Sequence, residues 1–267
     1  MHEALTPLRE ILAGMDRVAV AVSGGVDSLT LASLAHDVLG ERAAMHHATS
    51  PAVPPSATQR TRELAAARGW RLEVFDAGEF ADPRYRSNPV NRCFFCKINL
   101  YGAIAGRTTA QVLSGTNLDD LGEYRPGLDA ALEYGVRHPF VEAGVTKAMV
   151  RRLAAGMGLG SVAELPAAPC LASRVETGIA IQAPVLAMID AAERRLRAVL
   201  DPRTVRCRVR AGGVVVELDG DTLARLDPVR ADALRTELAG LVAGAGLDAA
   251  VSFAPYRTGS AFLRPAS

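Results

Sequence analysis

Three cysteines and one lysine are the residues of this sequence whose types and spacing first suggest chemistry. Cys93 and Cys96 form a C-x-x-C pair followed directly by Lys97, and Cys170 lies far along the chain. Two thiolates at this spacing can chelate one metal ion, form a redox disulfide or do neither. Structural zinc normally takes four ligands, whereas three cysteines around a cubane iron–sulfur cluster leave one iron without a protein ligand. The spacing alone leaves these possibilities open.

A turn of glycines and serines near the start of the chain is suited to binding an anion. It has the sequence Ser-Gly-Gly-Val-Asp-Ser at positions 23–28. The Val-rich run before it predicts a buried strand, and the apolar spacing over 29–39 predicts a helix that ends at Gly40. Glycines let the backbone approach a ligand closely, and the helix start adds free N–H groups and the positive end of the helix dipole.

Asp27 favours a phosphate-binding turn with a divalent cation over a turn that binds nothing. A glycine-rich turn alone is also compatible with a tight turn that binds nothing. A carboxylate beside bound phosphates is repulsive unless it holds a divalent cation, usually Mg²⁺. Because the turn lacks the lysine of the pattern G-x-x-x-x-G-K-[ST], a P-loop NTPase is disfavoured.

The elements that would position these residues alternate along the first part of the chain. Strands are predicted at 17–22, 42–49, 70–75 and 110–114, and helices at 58–69, 98–106 and 146–156. This order predicts an α/β fold with a doubly wound parallel sheet, which binds ligands at the carboxyl ends of its strands. Gly115 and Thr116 follow the fourth strand at that edge. Lys147 opens the last helix, either near the phosphates or in solvent, and composition alone favours solvent.

A smaller α+β domain is predicted after Glu176, giving domains at 1–176 and 177–267. A helix is predicted at 183–200, strands at 205–210 and 213–218, a helix between 223 and 243 and a strand at 249–253. On the strand at 205–210, Cys207 shares one face with two valines and is therefore predicted to be a core thiol. Arg206 and Arg208 share the other face with Arg210, as a solvated face or as a clamp for phosphate and carboxylate groups.

Composition limits the classes of protein that fit. The chain has 267 residues, of which 49% are hydrophobic, and a net charge of +1. This charge supplies no global attraction to nucleic acid or membrane, and no apolar run reaches the ~18–20 residues that span a bilayer. The N-terminus lacks a signal-peptide layout, so a cytoplasmic location is expected, with cysteines that act as ligands or nucleophiles rather than in disulfides.

The turn at 23–28 resembles the PP-loop of the ATP pyrophosphatases. That resemblance implies cleavage of ATP between its α- and β-phosphates and transfer of AMP to a substrate. Further motifs at 91–97, 115–117, 124–127, 169–174 and 256–259 resemble, in order, those of the LarE family. The resemblance implies an ATP-dependent sulfur transferase that activates a carboxylate of pyridinium-3,5-biscarboxylic acid mononucleotide with AMP. Sulfur then replaces oxygen to give a thiocarboxylate.

The resemblance also assigns roles to residues. ATP and Mg²⁺ are assigned to the PP-loop and to residues near it: Ser23, Gly24, Gly25, Asp27, Ser28, Gly115, Thr116 and Lys147. A [4Fe-4S] cluster is assigned to Cys93, Cys96 and Cys170. The phosphate and carboxylates of the substrate are assigned to Lys97, Arg174, Arg206, Arg208 and Arg257. A homo-oligomer that uses sulfide or a sulfide donor, and no nucleic acid, is expected.

One departure from the family concerns the source of sulfur. Members that sacrifice a cysteine carry it just before the Ser-Arg pair and lack the C-x-x-C pair, whereas here Pro169 stands in its place and Cys170 is shifted by one residue. The sequence instead resembles a three-cysteine branch with a [4Fe-4S] cluster, which favours a catalytic, cluster-bound sulfide. Alternatives are a tRNA thiolase, which would need a basic footprint, an amide-forming synthetase with structural zinc, and a nucleotide-sensing module.

Overall fold

The computed structural model describes residues 2–122, 124–166 and 169–263, with side chains from residue 5 onward. By its internal contacts the chain forms two compact units. The first consists of Met1–Asp82 and Asn91–Ala168, and the second of Pro83–Val90 and Pro169–Ser267. The domain boundary expected after Glu176 stays a prediction.

Helices and strands alternate along the chain through its first four strands, whereas in the second unit two strands follow each other directly. The helices are α1 (His2–Ala13), α2 (Val26–Leu39), α3 (Pro55–Arg68), α4 (Pro83–Arg86), α5 (Arg92–Ala105), α6 (Gly127–Glu133), α7 (Pro139–Glu142), α8 (Lys147–Gly156), α9 (Ala183–Leu200), α10 (Gly220–Ala224) and α11 (Pro228–Gly244). The strands are β1 (Val18–Ala21), β2 (Ala43–Thr49), β3 (Arg71–Asp76), β4 (Gln111–Ser114), β5 (Val205–Arg210), β6 (Gly213–Leu218) and β7 (Val251–Pro255).

The first unit contains a parallel sheet of four strands in the order β3-β2-β1-β4. Val18 at the start of β1 pairs with Ala43 on one side and with Gln111 on the other. The strand order therefore reverses at β1, which is where open α/β sheets bind ligands at the carboxyl ends of their strands. The α/β architecture with a parallel sheet that the sequence predicts is confirmed.

Both faces of this sheet are covered, which explains why β1 is apolar throughout. Val18 and Val20 pack in one core with buried residues of α1, α2 and α8, while Ala19 and Ala21 pack in a second core with residues of α5 and α6. Each fully buried Leu or Phe side chain contributes about 1.5–3 kcal/mol by leaving water. The sheet is thus a rigid base for the loops at its carboxyl edge.

The second unit contains a sheet of three strands in the order β5-β6-β7. β5 and β6 form an antiparallel pair, whereas β6 and β7 are parallel. Helix α9 contributes a buried apolar face that includes Leu186, Ile189 and Leu196. The positions of α9, β5 and β6 agree with those predicted.

Helix α5 differs from its prediction. It begins at Arg92, six residues before the predicted start at 98, so that Cys93, Cys96 and Lys97 lie on the helix and not in the loop before it. Asn91, the residue before the helix, makes no side-chain capping bond. Asn is a favoured N-cap residue, but no Glu or Gln follows three residues later to complete a capping box, so the sequence marks this helix start only weakly.

Candidate functional site

The loop that joins β1 to α2 has a backbone that only small residues allow. Gly24 has a φ of +79°, and a Cβ atom at this position would lie 2.7 Å from the backbone oxygen of Ala57 on α3. Gly25 precedes α2 without a side-chain capping bond. Gly24 is therefore required by geometry, whereas a Cβ atom on Gly25 would meet only the Ser23 hydroxyl at 3.6 Å, and the first turn of α2 keeps N–H groups available for an anion.

The two serines of this loop hold its shape. The Ser28 hydroxyl accepts a hydrogen bond from the backbone N–H of Ser23 (3.0 Å) and donates one to the carbonyl oxygen of Gly25 (3.1 Å). The Ser23 and Ser28 hydroxyl oxygens are 3.1 Å apart. The loop is thus closed across five residues before any ligand binds.

The Asp27 carboxylate faces two side chains from other elements. The ammonium group of Lys147 forms an ion pair with Oδ2 of Asp27, and Nδ2 of Asn117 donates to Oδ1 at 3.3 Å. Thr146 caps α8, and the backbone N–H of Lys147 donates to Asp119 at 2.9 Å. The expectation from composition that Lys147 lies in solvent is therefore wrong, because these contacts turn the start of α8 toward the loop.

Gly115 joins the end of β4 to the same loop. A Cβ atom at this position would lie 2.8 Å from the backbone nitrogen of Ser28. Thr116, the next residue, has its hydroxyl 3.0 Å from that of Ser114, which lies 2.7 Å from Nδ1 of His138. Burial is the largest effect on His138 and lowers its pKa, the Glu142 carboxylate opposes this in part, and Lys97 lowers the pKa by less. The structure thus brings together four of the predicted ATP residues, from α2, the end of β4 and the start of α8, namely Asp27, Ser28, Gly115 and Lys147.

Three residues beside the loop were missed by the sequence reasoning. Nδ1 of His47 lies 2.8 Å from the carbonyl oxygen of Val22, and its Nε2 lies 2.9 Å from the hydroxyl of Thr58. Arg60 donates to the carbonyl oxygen of Gly24 at 2.6 Å. The order of the elements places α3 at the same edge of the sheet, but no pattern in the sequence indicates which of its side chains reach the loop.

An open cavity of about 420 Å³ lies where β2 leads into α3. Its lining residues are Ser50, Val53, Pro55, Thr58, Gln59, Arg62 and Glu63. Ser50 follows the carboxyl end of β2, so the cavity lies at the ligand-binding edge of the parallel sheet. Thr58 belongs both to this cavity and to the contact with His47 beside the loop.

The cysteines differ in exposure. Cys93 and Cys96 lie three residues apart in the first turns of α5, where side chains at this spacing share a face. Cys93 and Cys170 are exposed and Cys96 is half-buried, and all three are free thiols. Cys207 is buried, which raises its pKa to about 12 and confirms the prediction of a core thiol.

The three accessible thiols have the donor chemistry of an iron–sulfur cluster, because thiolates are its usual ligands. Within residues 2–122, 124–166 and 169–263, no group of three or more His, Cys, Asp or Glu side chains is close enough together to hold a metal ion. Lys97 follows the pair, with its ammonium group 5.6 Å from the ring centre of Tyr101. A Cβ atom on Gly127 would lie 3.0 Å from Cγ of Lys97, so this glycine lets α6 approach α5 closely.

In the second unit, Arg174 is buried in an ion pair. It forms two hydrogen bonds with Glu193, of 2.9 and 3.1 Å. Burial raises the pKa of Glu193, but hydrogen bonding and charge from Arg174 outweigh burial and hold it below its ordinary value. Arg174 also donates to the carbonyl oxygens of Pro169 (2.5 Å) and Cys170 (3.1 Å). Arg174 therefore fixes the backbone that carries Cys170.

The other arginines of the second unit occupy different environments. Arg208 is buried against Glu217 at 3.0 Å, and Glu217 also accepts from Arg210 at 2.7 Å. Arg206 is half-buried, with its guanidinium carbon 5.9 Å from the ring centre of Tyr256, and burial lowers its pKa. Arg257 is exposed. A solvated face is therefore wrong for Arg208, because Glu217 on β6 draws its side chain inward.

The described helices include none with the length and apolar character needed to cross a membrane.

Comparison with known proteins identifies relatives, although no family model matches the chain. An uncharacterized protein of Synechocystis sp. is 38% identical over 201 residues, which are 74% of this chain and 75% of that protein. The pyridinium-3,5-bisthiocarboxylic acid mononucleotide synthase of Lactiplantibacillus plantarum is 31% identical over 202 residues, 74% of this chain and 72% of the synthase. An uncharacterized protein of Methanocaldococcus jannaschii is 26% identical over 209 residues, 77% of this chain and 79% of that protein. The chain therefore belongs to the family of the Lactiplantibacillus plantarum synthase, the LarE family that its motifs resemble.

Proposed function

We propose that this chain is an ATP-dependent sulfur transferase of the PP-loop class. Its substrate would be pyridinium-3,5-biscarboxylic acid mononucleotide, of which it would convert a carboxylate to a thiocarboxylate. Similarity to the synthase supports the substrate class. The observation that carries the ATP step is the loop at 23–28, where Asp27, Lys147 and Gly115 meet the free N–H groups of α2.

The residues of this loop suit a triphosphate. Backbone N–H groups at the start of α2 would donate hydrogen bonds to phosphate oxygens, and Lys147 supplies a cation at the same place. The Asp27 carboxylate has the oxygen ligands that Mg²⁺ prefers, and a bound Mg²⁺ would neutralise charge on the phosphates. The cavity at the start of α3 offers room for the rest of the nucleotide.

The proposed reaction has two steps. A carboxylate oxygen of the substrate attacks the α-phosphorus of ATP, and pyrophosphate leaves with the electrons of the broken P–O bond. The product is an acyl adenylate, in which AMP replaces oxide as the leaving group. Hydrosulfide then attacks the acyl carbon, AMP departs with the former carboxylate oxygen, and one proton is released. The loop contributes by stabilising charge on the transferring and departing phosphates.

The arginines assigned to the substrate fall into two groups that differ in solvent exposure. Arg257 is exposed and Arg206 is half-buried, and both are proposed to bind the substrate's phosphate and carboxylates directly. Arg174 and Arg208 are buried in ion pairs, which favours a role in which they position neighbouring backbone and side chains. Lys97 is proposed as a further cation for the substrate.

The sulfur source is proposed from the cysteines. Cys93, Cys96 and Cys170 would hold a [4Fe-4S] cluster, on the strength of the sequence resemblance and of their exposed or half-exposed thiols. Such a cluster supplies an iron that has no protein ligand and can carry exchangeable sulfide. A sulfide donor and assembly into a homo-oligomer belong to the same proposal.

The test is anaerobic purification followed by assay of pyrophosphate release and product with ATP, sulfide and the dicarboxylate nucleotide. We expect iron and sulfide in the protein, pyrophosphate release that depends on the dicarboxylate, and several products per chain. Intact-protein mass spectrometry should show four intact cysteines after turnover. Loss of one H₂S from Cys170, with at most one product per chain, would establish a sacrificial cysteine instead.

Two other results would overturn the proposal more widely. Zinc in place of iron would favour an amide-forming synthetase. Absence of pyrophosphate release with every carboxylate offered, together with intact ATP binding, would indicate a nucleotide sensor. A matched control for the cluster is Cys207→Ala, which removes a buried thiol and should leave the iron content unchanged.

A further inference from the structure

Side chains that belong to neither the loop at 23–28 nor α2 contact backbone carbonyl oxygens at this loop. His47 on β2 contacts the carbonyl oxygen of Val22, and Arg60 on α3 contacts that of Gly24. A carbonyl oxygen can only accept a hydrogen bond, so Nδ1 of His47 is the donor and its Nε2 accepts from the hydroxyl of Thr58. Two carbonyl groups of the loop are thus directed away from the anion-binding side.

The planarity of the peptide bond determines where the opposite groups point. In a trans peptide the C=O of one residue and the N–H of the next lie on opposite sides. Because Arg60 fixes the Gly24 carbonyl, the N–H of Gly25 is directed away from α3. This N–H has only a long contact, of 3.5 Å, with the Ser23 hydroxyl. It therefore remains available for a phosphate oxygen.

Arg60 also affects the charge on this peptide. Its guanidinium group donates to the Gly24 carbonyl at 2.6 Å, a short, charge-assisted hydrogen bond. A cation at the carbonyl oxygen polarises the peptide, which increases the partial positive charge on the N–H at its other side. No ion pair of Arg60 with a carboxylate within 4.0 Å is found in the described residues, so its charge is not neutralised by direct contact there.

We propose that Arg60 is a positioning residue for ATP, which orients and polarises the Gly24–Gly25 peptide so that its N–H binds a phosphate. This inference rests on the proposed ATP site and adds a residue that no motif of the sequence indicates. Arg60 acts through the backbone of the loop, and the reacting atoms are contacted by the loop itself.

Helix α3 provides a matched control. Arg68, two turns further along α3, donates to the carbonyl oxygen of Met157 at 2.6 Å. Its hydrogen bond has the same chemistry and the same length as that of Arg60, but its acceptor lies after α8 and outside the loop. Replacing Arg68 with Met therefore reproduces the loss of a guanidinium–carbonyl bond without changing the loop.

The experiment measures binding of Mg·ATP and of inorganic pyrophosphate by calorimetry to the full chain and to three variants. We expect Arg60→Met to weaken the binding of both ligands by about tenfold, the loss expected for one charge-assisted hydrogen bond. Arg60→Lys keeps a cation and one donor and should recover part of the affinity. Arg68→Met should bind both ligands as the unaltered chain does. In turnover, Arg60→Met should raise the KM for ATP and leave the KM for the dicarboxylate unchanged.

The outcomes separate this inference from the proposed function. Unchanged affinity of a folded Arg60→Met chain, or an equal loss in Arg68→Met, would overturn the role of Arg60 even if the chain adenylates its substrate. If Arg60→Met does not fold, the same criteria apply to Arg60→Lys, which must then bind more weakly than the unaltered chain. If the chain releases no pyrophosphate but binds it in an Arg60-dependent way, the proposed reaction fails and the inference stands. Failure of the unaltered chain to bind either ligand would overturn both.

Discussion

The loop at 23–28 of the first unit and the arginines of the second unit differ in how they carry charge. The loop uses backbone N–H groups and two glycines, with one carboxylate and one lysine beside them. The second unit concentrates formal charge, but it pairs Arg174 with Glu193 and Arg208 with Glu217 in its interior. One region exposes backbone N–H groups beside partly exposed charges, and the other depends on compensated buried charge.

Because of this difference, substitutions in the two regions should have different effects on stability and on chemistry. A buried ion pair that loses one partner leaves an uncompensated charge in the interior, which destabilises the fold strongly. The loop contains no such pair, since the side chains of Asp27 and Lys147 are 26% and 32% exposed. Changes in the loop should therefore affect chemistry more than stability, and changes in the arginine pairs should do the reverse.

The largest effect is expected for Asp27→Ala in the loop. Pyrophosphate release should fall about a hundredfold or more, as when a group that stabilises transition-state charge is removed. The melting temperature should change little, because the carboxylate is partly exposed and packs against no core. Asp37→Ala is the matched control, since Asp37 lies on the same helix and only faces Arg68 at 3.5 Å. Near-normal pyrophosphate release by Asp27→Ala would refute the proposed role of the carboxylate.

Glu217→Ala should produce the largest loss of stability. Arg208 and Glu217 are only 5% and 2% exposed, so removing the carboxylate strands a buried guanidinium and should cost about 3–5 kcal/mol in the free energy of unfolding. Chemical denaturation of the two chains measures this difference. Glu237→Ala, which removes the partner of the exposed Arg195, should leave the stability nearly unchanged. Equal stabilities of Glu217→Ala and Glu237→Ala would contradict the distinction between buried and exposed pairs.

The same contrast explains how much of the fold the sequence could predict. The bounds of α9, β5 and β6 agree with prediction to the residue, because the period of apolar residues and the flanking turn residues are local signals. The start of α5 lies six residues before its predicted position, since cysteines followed by lysine resemble a ligand-bearing loop and Asn91 precedes the helix without a capping box or a side-chain capping bond. Local patterns are therefore sufficient for regular elements and insufficient for uncapped ends.

Side chains that lie close together in the structure are easiest to predict where they are consecutive in the sequence. The turn at 23–28 carries its glycines, serines and Asp27 in one stretch, so its geometry depends largely on residues that are neighbours in the sequence. Composition alone favours solvent for Lys147, and only the family resemblance assigns it to ATP, because its partner Asp27 is 120 residues away. Arg60 was missed for the same reason, since its contact with Gly24 joins residues 36 apart. Contacts between distant elements depend on how those elements pack, and no short sequence motif indicates this packing.

Cys207→Ala should lower the free energy of unfolding slightly and should leave the iron content unchanged. The thiol is buried on the core face of β5, so its loss should cost only about 1 kcal/mol, as small core truncations typically do. Cys170→Ala is the opposite case, because that thiol is exposed: stability should be unchanged and iron should be lost. Loss of iron from Cys207→Ala would make this thiol a ligand and would contradict the proposed three-cysteine set.

The last prediction uses pH to separate the two regions. Burial lowers the pKa of His47, the largest effect on it, below the ordinary value of 6.5, and burial likewise lowers the pKa of His46 and His138. All three lie in the first unit, so below about pH 6.5 these histidines bind more protons in the unfolded chain than in the folded unit, whereas Glu79, whose pKa burial raises above its ordinary 4.5, acts in the opposite direction at lower pH. The free energy of unfolding of this unit should be fully present above that pH and should fall as the solution is acidified.

The second unit should not share this dependence. Its buried charges are arginine–glutamate pairs, and Glu193 has a pKa held below its ordinary 4.5, so its contribution is lost only at more acidic pH. Denaturant unfolding followed by the fluorescence of Trp70, the single tryptophan, reports the first unit, and hydrogen exchange resolves both. Between pH 8 and 5.5 we expect protection to fall in β1, β2 and β4 and to stay constant in β5 and β6. His47→Gln should reduce the slope for the first unit, because Gln cannot be protonated. A slope of the opposite sign, or equal slopes in the two units, would show that the buried histidines are not the source of the pH dependence.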